Sequence, residues 1–166
     1  TLLAIAATLM ALSTTAPAQE LKIGYVNSER VLRDATPAKA AQAKLEAEFG
    51  KREKELADMA NKLKAAGEKL DKDAPTLAES ERNRRQRELV EQNRDFDRKR
   101  REFQEDLTQR KNEELASVVE RANKVMKQIF DSEKYDLILQ EAVFAGPKID
   151  ITDKVIKALN GQAGAK

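Results

Sequence analysis

Histidine, cysteine and tryptophan do not occur among the 166 residues of this chain. Without cysteine there are no disulfides and no thiolate ligands, and without histidine the usual imidazole ligand and neutral-pH general base are gone. Cys–His and Ser–His nucleophile pairs are excluded with them. Glycines number 6, and neither Gly67-Glu68-Lys69 nor Gly161-Gln162-Ala163-Gly164 has the spacing or the strand–loop–helix setting of a phosphate loop. ATP use is not expected, nor a metal or other cofactor. No carboxylate pair stands apart from the many surface Asp and Glu residues, so the chain reads as a non-enzyme. Aromatics make up only 4% and prolines number 4. Material for one large core is short, and an extended shape follows.

Charge is what the chain has instead. Lysine and arginine number 31 and acidic residues 29, a net +2. A balance so close to neutral selects no partner, and any preference for anions has to arise from local clusters.

The single long apolar run is Leu2 to Leu12, followed by Ser13, Thr14, Thr15 and then Ala16-Pro17-Ala18. This reads as a signal peptide over residues 1–18, clipped at its front, with cleavage after Ala18. The run falls short of the ~20 residues needed to span a bilayer.

Beyond it, Leu21 to Asn27 alternates as a short strand, and Ser28 is the expected cap of a brief helix reaching Leu32 and Arg33. Thr36-Pro37 opens a long helix, Thr as cap and Pro in the first turn. Phe49, Leu56, Leu63 and Leu70 then recur every seven residues, with Ala38, Leu45, Met59 and Ala66 between them; Gln42 and Arg52 intrude. Asp71 to Thr76, with Pro75, is the reversal. From Leu77 to Asp131 no Gly or Pro occurs, which predicts one returning helix. Its seam is Leu89, Phe96, Phe103, Leu107, then Leu115, Val118, Ala122, Val125 and Ile129. The step from Leu107 to Leu115 predicts a change of winding. Gly50 and Gly67 should soften the outgoing helix.

Tyr135 to Gln140 and Ala142 to Ala145 read as two further strands, stopped by Gly146-Pro147. Asp150 or Thr152 caps a last helix with Ile151, Val155, Ile156 and Leu159 on one face, and Gly161 to Lys166 is a frayed tail. The expected fold is thus mostly α with a small β part: a long antiparallel, coiled-coil-like helical hairpin, 38–131, turning near 71–76. It is inserted in a head made of 19–37 and 132–166. Of the hairpin's 94 residues 44 are charged.

Three short strands are too small a core to stand alone, so the head is expected to self-associate. Candidate association residues are Ile23, Tyr25, Val26, Leu137, Leu139, Val143 and Phe144. Phe49, Leu56, Met59, Leu63, Phe96 and Phe103 are first the packing of the arm, and second, where partly covered, weak contacts for an unfolded chain. Arg82, Arg84, Arg85 and Arg87 form a basic tip suited to acidic polypeptide or anionic lipid; the competing reading is a solvated face with pairs such as Arg84–Glu88 and Asp97–Arg101. Nucleic acid is not an expected partner, since stacking aromatics among the basic residues are few.

The order of these pieces resembles the Skp/OmpH family. They are a leader, a first strand ending in Val26-Asn27, Pro37 before a charged hairpin, Tyr135-Asp136-Leu137-Ile138-Leu139, Ala142-Val143, and Asp150-Ile151-Thr152 before an amphipathic helix. The resemblance implies a periplasmic homotrimer whose arms enclose a cavity. It further implies an ATP-independent holdase for unfolded outer-membrane β-barrel proteins, assisting their delivery to the outer membrane. Lipopolysaccharide binding through basic arm residues is a further implication. A coiled-coil envelope spacer or tether, or a basic-tipped anionic-lipid binder, are the other readings.

Overall fold

The structure, a computed structural model, describes residues 20–163. The expected leader lies outside the described residues. In chain order the elements are β1 (Ile23–Tyr25), α1 (Ser28–Asp34), α2 (Thr36–Asp73), α3 (Glu79–Glu133), β2 (Leu137–Leu139) and α4 (Thr152–Ala163). Helices α2 and α3 pair as the arm, and everything else gathers at their open ends. At 1.5 Å per residue α3 is about 80 Å long. Among the described residues no helix is long and apolar enough to cross a membrane.

Helix starts depart from expectation in an instructive way. Asn27, not Ser28, caps α1, its Oδ1 accepting from the Arg30 amide at 2.9 Å. Ala35 sits at the cap of α2 and has no polar side chain to offer. The free amide of Thr36 donates instead to Asn160 Oδ1 on α4, 2.7 Å away. A polar side chain distant in sequence thus satisfies one of the orphan donors of the arm. Pro37 lies in the first turn, as its spelling requires.

At the far end α2 continues to Asp73, whose carbonyl accepts from the Thr76 and Leu77 amides. The returning helix therefore begins at Glu79, two residues after the expected Leu77. It ends at Glu133 and is capped by Lys134, in the left-handed region at φ 53°, with the Tyr135 amide bonded back to Phe130 O.

Helix α3 is unbroken past Leu107. Its seam changes phase there, running through Arg110, Glu114, Val118 and Ala122 at steps of four before Val125 and Ile129, the spacing that a local change of winding accompanies. Glu114 is buried, while Leu115 beside it is 44% exposed. An ionic layer has taken the place where an apolar residue was sought: Glu114 receives Arg110 at 2.8 Å and Lys44 of α2 at 3.7 Å.

In the head, β1 and β2 run parallel, Ile23 opposite Leu137 and Tyr25 opposite Leu139, with the entire arm as their crossover. The other flank of β1 is bonded to the segment before α4. Tyr25 N donates to Ile149 O, and Ile151 N donates to Tyr25 O. Thr152 Oγ1 accepts from the Asn27 amide at 2.9 Å, and Asp150 Oδ1 from the Thr152 amide at 2.8 Å. The Asp150-Ile151-Thr152 spelling is therefore a clasp: it closes β1, seats Ile151 in the core and starts α4. The Thr152 hydroxyl also holds the Asp150 carboxyl below its ordinary range.

The core comprises Val26, Val31, Ala35, Ala122, Val125, Met126, Ile129, Tyr135, Ile151, Val155 and Leu159. Both chain ends and the root of α3 share it. Gly24 is a packing requirement, because a Cβ there would meet Ile151 Cδ1 at 2.9 Å and Tyr135 Cε1 at 3.2 Å.

Two expectations fail here. Ala142–Ala145 forms no strand: both flanks of β1 are already taken, and among the described residues the segment does not pair with the free outer edge of β2. The tail does not fray at Gly161, for α4 continues to Ala163 and Gln162 Nε2 donates to Gln128 Oε1 on α3 at 2.9 Å.

Candidate functional site on the arm and head

The six apolar arm candidates are brought to one seam and differ in what they leave open. Phe49 is 5% exposed and meets Phe103 edge to face, ring centres 5.8 Å apart at 77°. The Arg52 guanidinium lies 5.7 Å from both rings and donates to Asp106 Oδ2 across the arm at 2.8 Å. What looked like an intruder is a cation held between two aromatic faces and a carboxylate. Arg100 makes the same kind of contact with Phe96 at 5.7 Å. Leu56, Met59, Leu63, Phe96 and Phe103 are half-buried.

Two shallow grooves run beside the seam. One is lined by Leu56, Met59 and Phe103 with Arg52, Lys99 and Glu102 among its polar walls. The other is lined by Met59, Leu63 and Ala66, with Lys62, Glu91 and Asp95. Met59 borders both, and Leu56, Leu63 and Phe103 border one each. The large apolar residues exposed on the arm are others: Val90, Leu115 and Val119.

At the tip the four arginines divide. Arg84 bonds Glu81 at 2.7 Å and Glu88 at 2.6 Å, and Arg85 bonds Glu81 at 3.0 Å and Asp73, across the turn, at 3.1 Å. Hydrogen bonds from Arg84 and then Arg85 lower the Glu81 carboxyl to about 2. Among the described residues Arg82 and Arg87 carry no ion pair, so the free positive charge is half of what the cluster spells. The Arg84–Glu88 pair forms as expected, whereas Asp97 pairs with Arg100 rather than Arg101.

The head candidates separate likewise. Val26 is 1% exposed and belongs to the core; Ile23 and Tyr25 are half-buried. Leu137 and Leu139 on β2 are 45% and 38% exposed, and Val143 and Phe144 are 89% and 94% exposed. Among the described residues no strand covers the outer edge of β2. Unpaired amides and uncovered apolar side chains thus occur together on one side of the head.

Residues 22–159 match the family described as Outer membrane protein (OmpH-like). The chain belongs to this OmpH-like family. It is 29% identical over 150 residues to the chaperone protein Skp of Yersinia enterocolitica, covering 89% of this chain and 92% of that protein. It is 30% identical to Skp of Pectobacterium atrosepticum, covering 82% and 84%. Skp of Escherichia coli K12 is 29% identical, with 87% of each chain covered. A crystal structure of a putative outer membrane chaperone (OmpH-like) from Caulobacter crescentus superposes with a TM-score of 0.71 at 22% identity, covering 86% of this chain and 85% of that one. The OmpH-like fold, mainly long helices with a small two-stranded sheet, is shared. The Skp/OmpH family comprises chaperones rather than enzymes.

Proposed function

We propose that this protein is an ATP-independent holdase that works in the periplasm as a homotrimer. It keeps unfolded outer-membrane β-barrel proteins soluble between its arms and assists their delivery to the outer membrane. Membership of the OmpH-like family and the Skp names of its relatives support a chaperone role. The observation that carries the finer reading is the uncovered apolar edge of the head, with Leu137, Leu139, Val143 and Phe144 exposed on the part from which the charged arm hangs. Such an edge calls for further copies, and several arms around one space hold a client through many weak contacts. Met59 and Leu63, bordering the arm grooves, supply apolar contact without a deep pocket.

The test is to dilute a urea-denatured β-barrel protein into buffer with the mature chain and follow turbidity without nucleotide. Suppression at one trimer per client is expected, and sedimentation should give three times the chain mass. Undiminished aggregation at that ratio would sink the proposal.

A second reading draws on the unpaired guanidinium groups of Arg82 and Arg87 at the exposed tip. Under it the tip binds lipopolysaccharide or another anionic lipid surface. Vesicle co-sedimentation at low salt should then be lost in the R82E/R87E variant while R84E, whose charge is already spoken for, loses less. A spacer or tether would instead ignore unfolded barrels and retain one folded partner.

A further inference from the structure

Between α1, α3 and the end of β2 lies a crevice of about 120 Å³. Six of its lining residues are apolar: Val26, Val31, Leu32, Val119, Ala122 and Met126. The rest of its lining, Ser28, Asn123 and Gln140, is polar but uncharged. For comparison, an apolar cavity of about 150 Å³ accepts benzene. A phenyl ring is therefore of the right size and chemistry, and a charged or strongly polar group is of the wrong chemistry.

The same chain presents such a ring. Phe144 is 94% exposed and stands four residues after Gln140, which belongs to the lining. At that exposure it does not fill the crevice of its own copy. Val143 beside it is 89% exposed, and the segment forms no strand of its own. A projecting aromatic and an empty apolar socket thus lie on either side of one short connection, next to the open β2 edge. Where a knob and a hole on one chain do not meet each other, they pair head to tail between copies, and such pairing closes into a ring when the rotation allows.

We infer that Phe144 of one copy inserts into the Val26–Val31–Val119–Met126 crevice of the next, with residues 141–145 crossing the subunit boundary. This rests on the self-association proposed above and names its contact. The occupant is a second copy of this chain. Two features favour it over an unfolded client: every copy presents an exposed Phe144, and the crevice lining includes Gln140, the residue that follows β2, whose outer edge no strand covers among the described residues.

The chain has no native cysteine, so a pair of cysteines can report the contact directly. Protein carrying Phe144→Cys is mixed with protein carrying Asn123→Cys, subunits are exchanged, and a short bis-maleimide linker is added. A covalent dimer of the two different variants is expected, and none when either cysteine is absent. Independently, Phe144→Glu and the socket-filling Val119→Trp should each weaken assembly at least tenfold by sedimentation, with helicity unchanged. Phe144→Leu should retain it.

If the wild-type chain assembles but both variants assemble equally well and no heterologous cross-link forms, the socket inference is overturned and the trimer reading stands. A wild-type chain that sediments as a monomer overturns both. If Val119→Trp assembles normally yet fails to hold an unfolded β-barrel protein, the crevice is a client site, and the inference is likewise overturned.

Discussion

At Gly24 the absence of a side chain decides the head. The three atoms that a Cβ would meet all belong to side chains packed over the sheet, the nearest being Ile151 Cδ1 at 2.9 Å. Gly24→Val should destabilise the head by about 1–3 kcal/mol as an overpacked site, read as a lower denaturant midpoint of the head with the arm's helicity retained. Arg52 decides the middle of the arm in the opposite way, by supplying a cation to two rings. Arg52→Ala should cost about 1 kcal/mol, and Arg52→Lys should recover only part, because an ammonium lacks the planar face of guanidinium. Double-mutant cycles with Phe103→Leu would measure the coupling. Glu81 carries the clearest pH signature. Its carboxyl lies at about 2 in the folded chain against an ordinary 4.5, so its support of the tip is complete above that ordinary value and is lost as pH falls towards 2. The Glu81 carboxyl resonance should accordingly titrate near 2, and in Arg84→Ala the midpoint should move upward.

Helix α2 has an open position at Gly50, where a Cβ would meet nothing within 4 Å. Gly50→Ala should therefore stabilise the outgoing helix by about 0.5–1 kcal/mol. Slower amide hydrogen exchange around residues 46–54 would show it. The hairpin itself was legible in the sequence: its sevens-spaced seam, its Pro75 reversal and the stretch free of Gly and Pro each follow from helix geometry. Its detail was less so. A search for apolar residues placed Leu115 in the seam, whereas the buried position is Glu114, held by Arg110 and Lys44. Charges can occupy a seam when they are paired, and pairing across two helices is not written in either one. The cap of α2 was hidden for the same reason, since Asn160 reaches Thr36 only after the head has closed. The strand expected at Ala142–Ala145 had the right composition, but a strand also requires pairing, and within one copy the segment stands apart from the open edge of β2. For the candidate site, the tip arginines could be named from sequence while their local neutralisation by Glu81 and Asp73 depended on the geometry of the turn.

In the whole molecule, the division of labour is between a head that buries and an arm that does not. The head core draws on α1, α3, α4 and both flanks of β1, whereas along the outer arm cover comes from single seam residues and exposed ion pairs. Such exposed pairs contribute little each, so the arm should respond to salt far less than its 44 charges suggest. Thermal melts at low and high salt should differ by only a few degrees. Leu139→Asp, placed on the open edge of β2 at a residue already 38% exposed, should leave helicity intact and shift the sedimentation of the chain to that of a single copy. The parallel pairing of β1 with β2 has a consequence in time. Ile23 meets Leu137 only after the whole arm between them has emerged, and closing so long a loop is slow. The hairpin, whose contacts are nearer in sequence, can zip first and bring the two ends of the head together. A chain emerging from its N-terminus thus completes its arm before its head, and the open edge of β2 takes shape last.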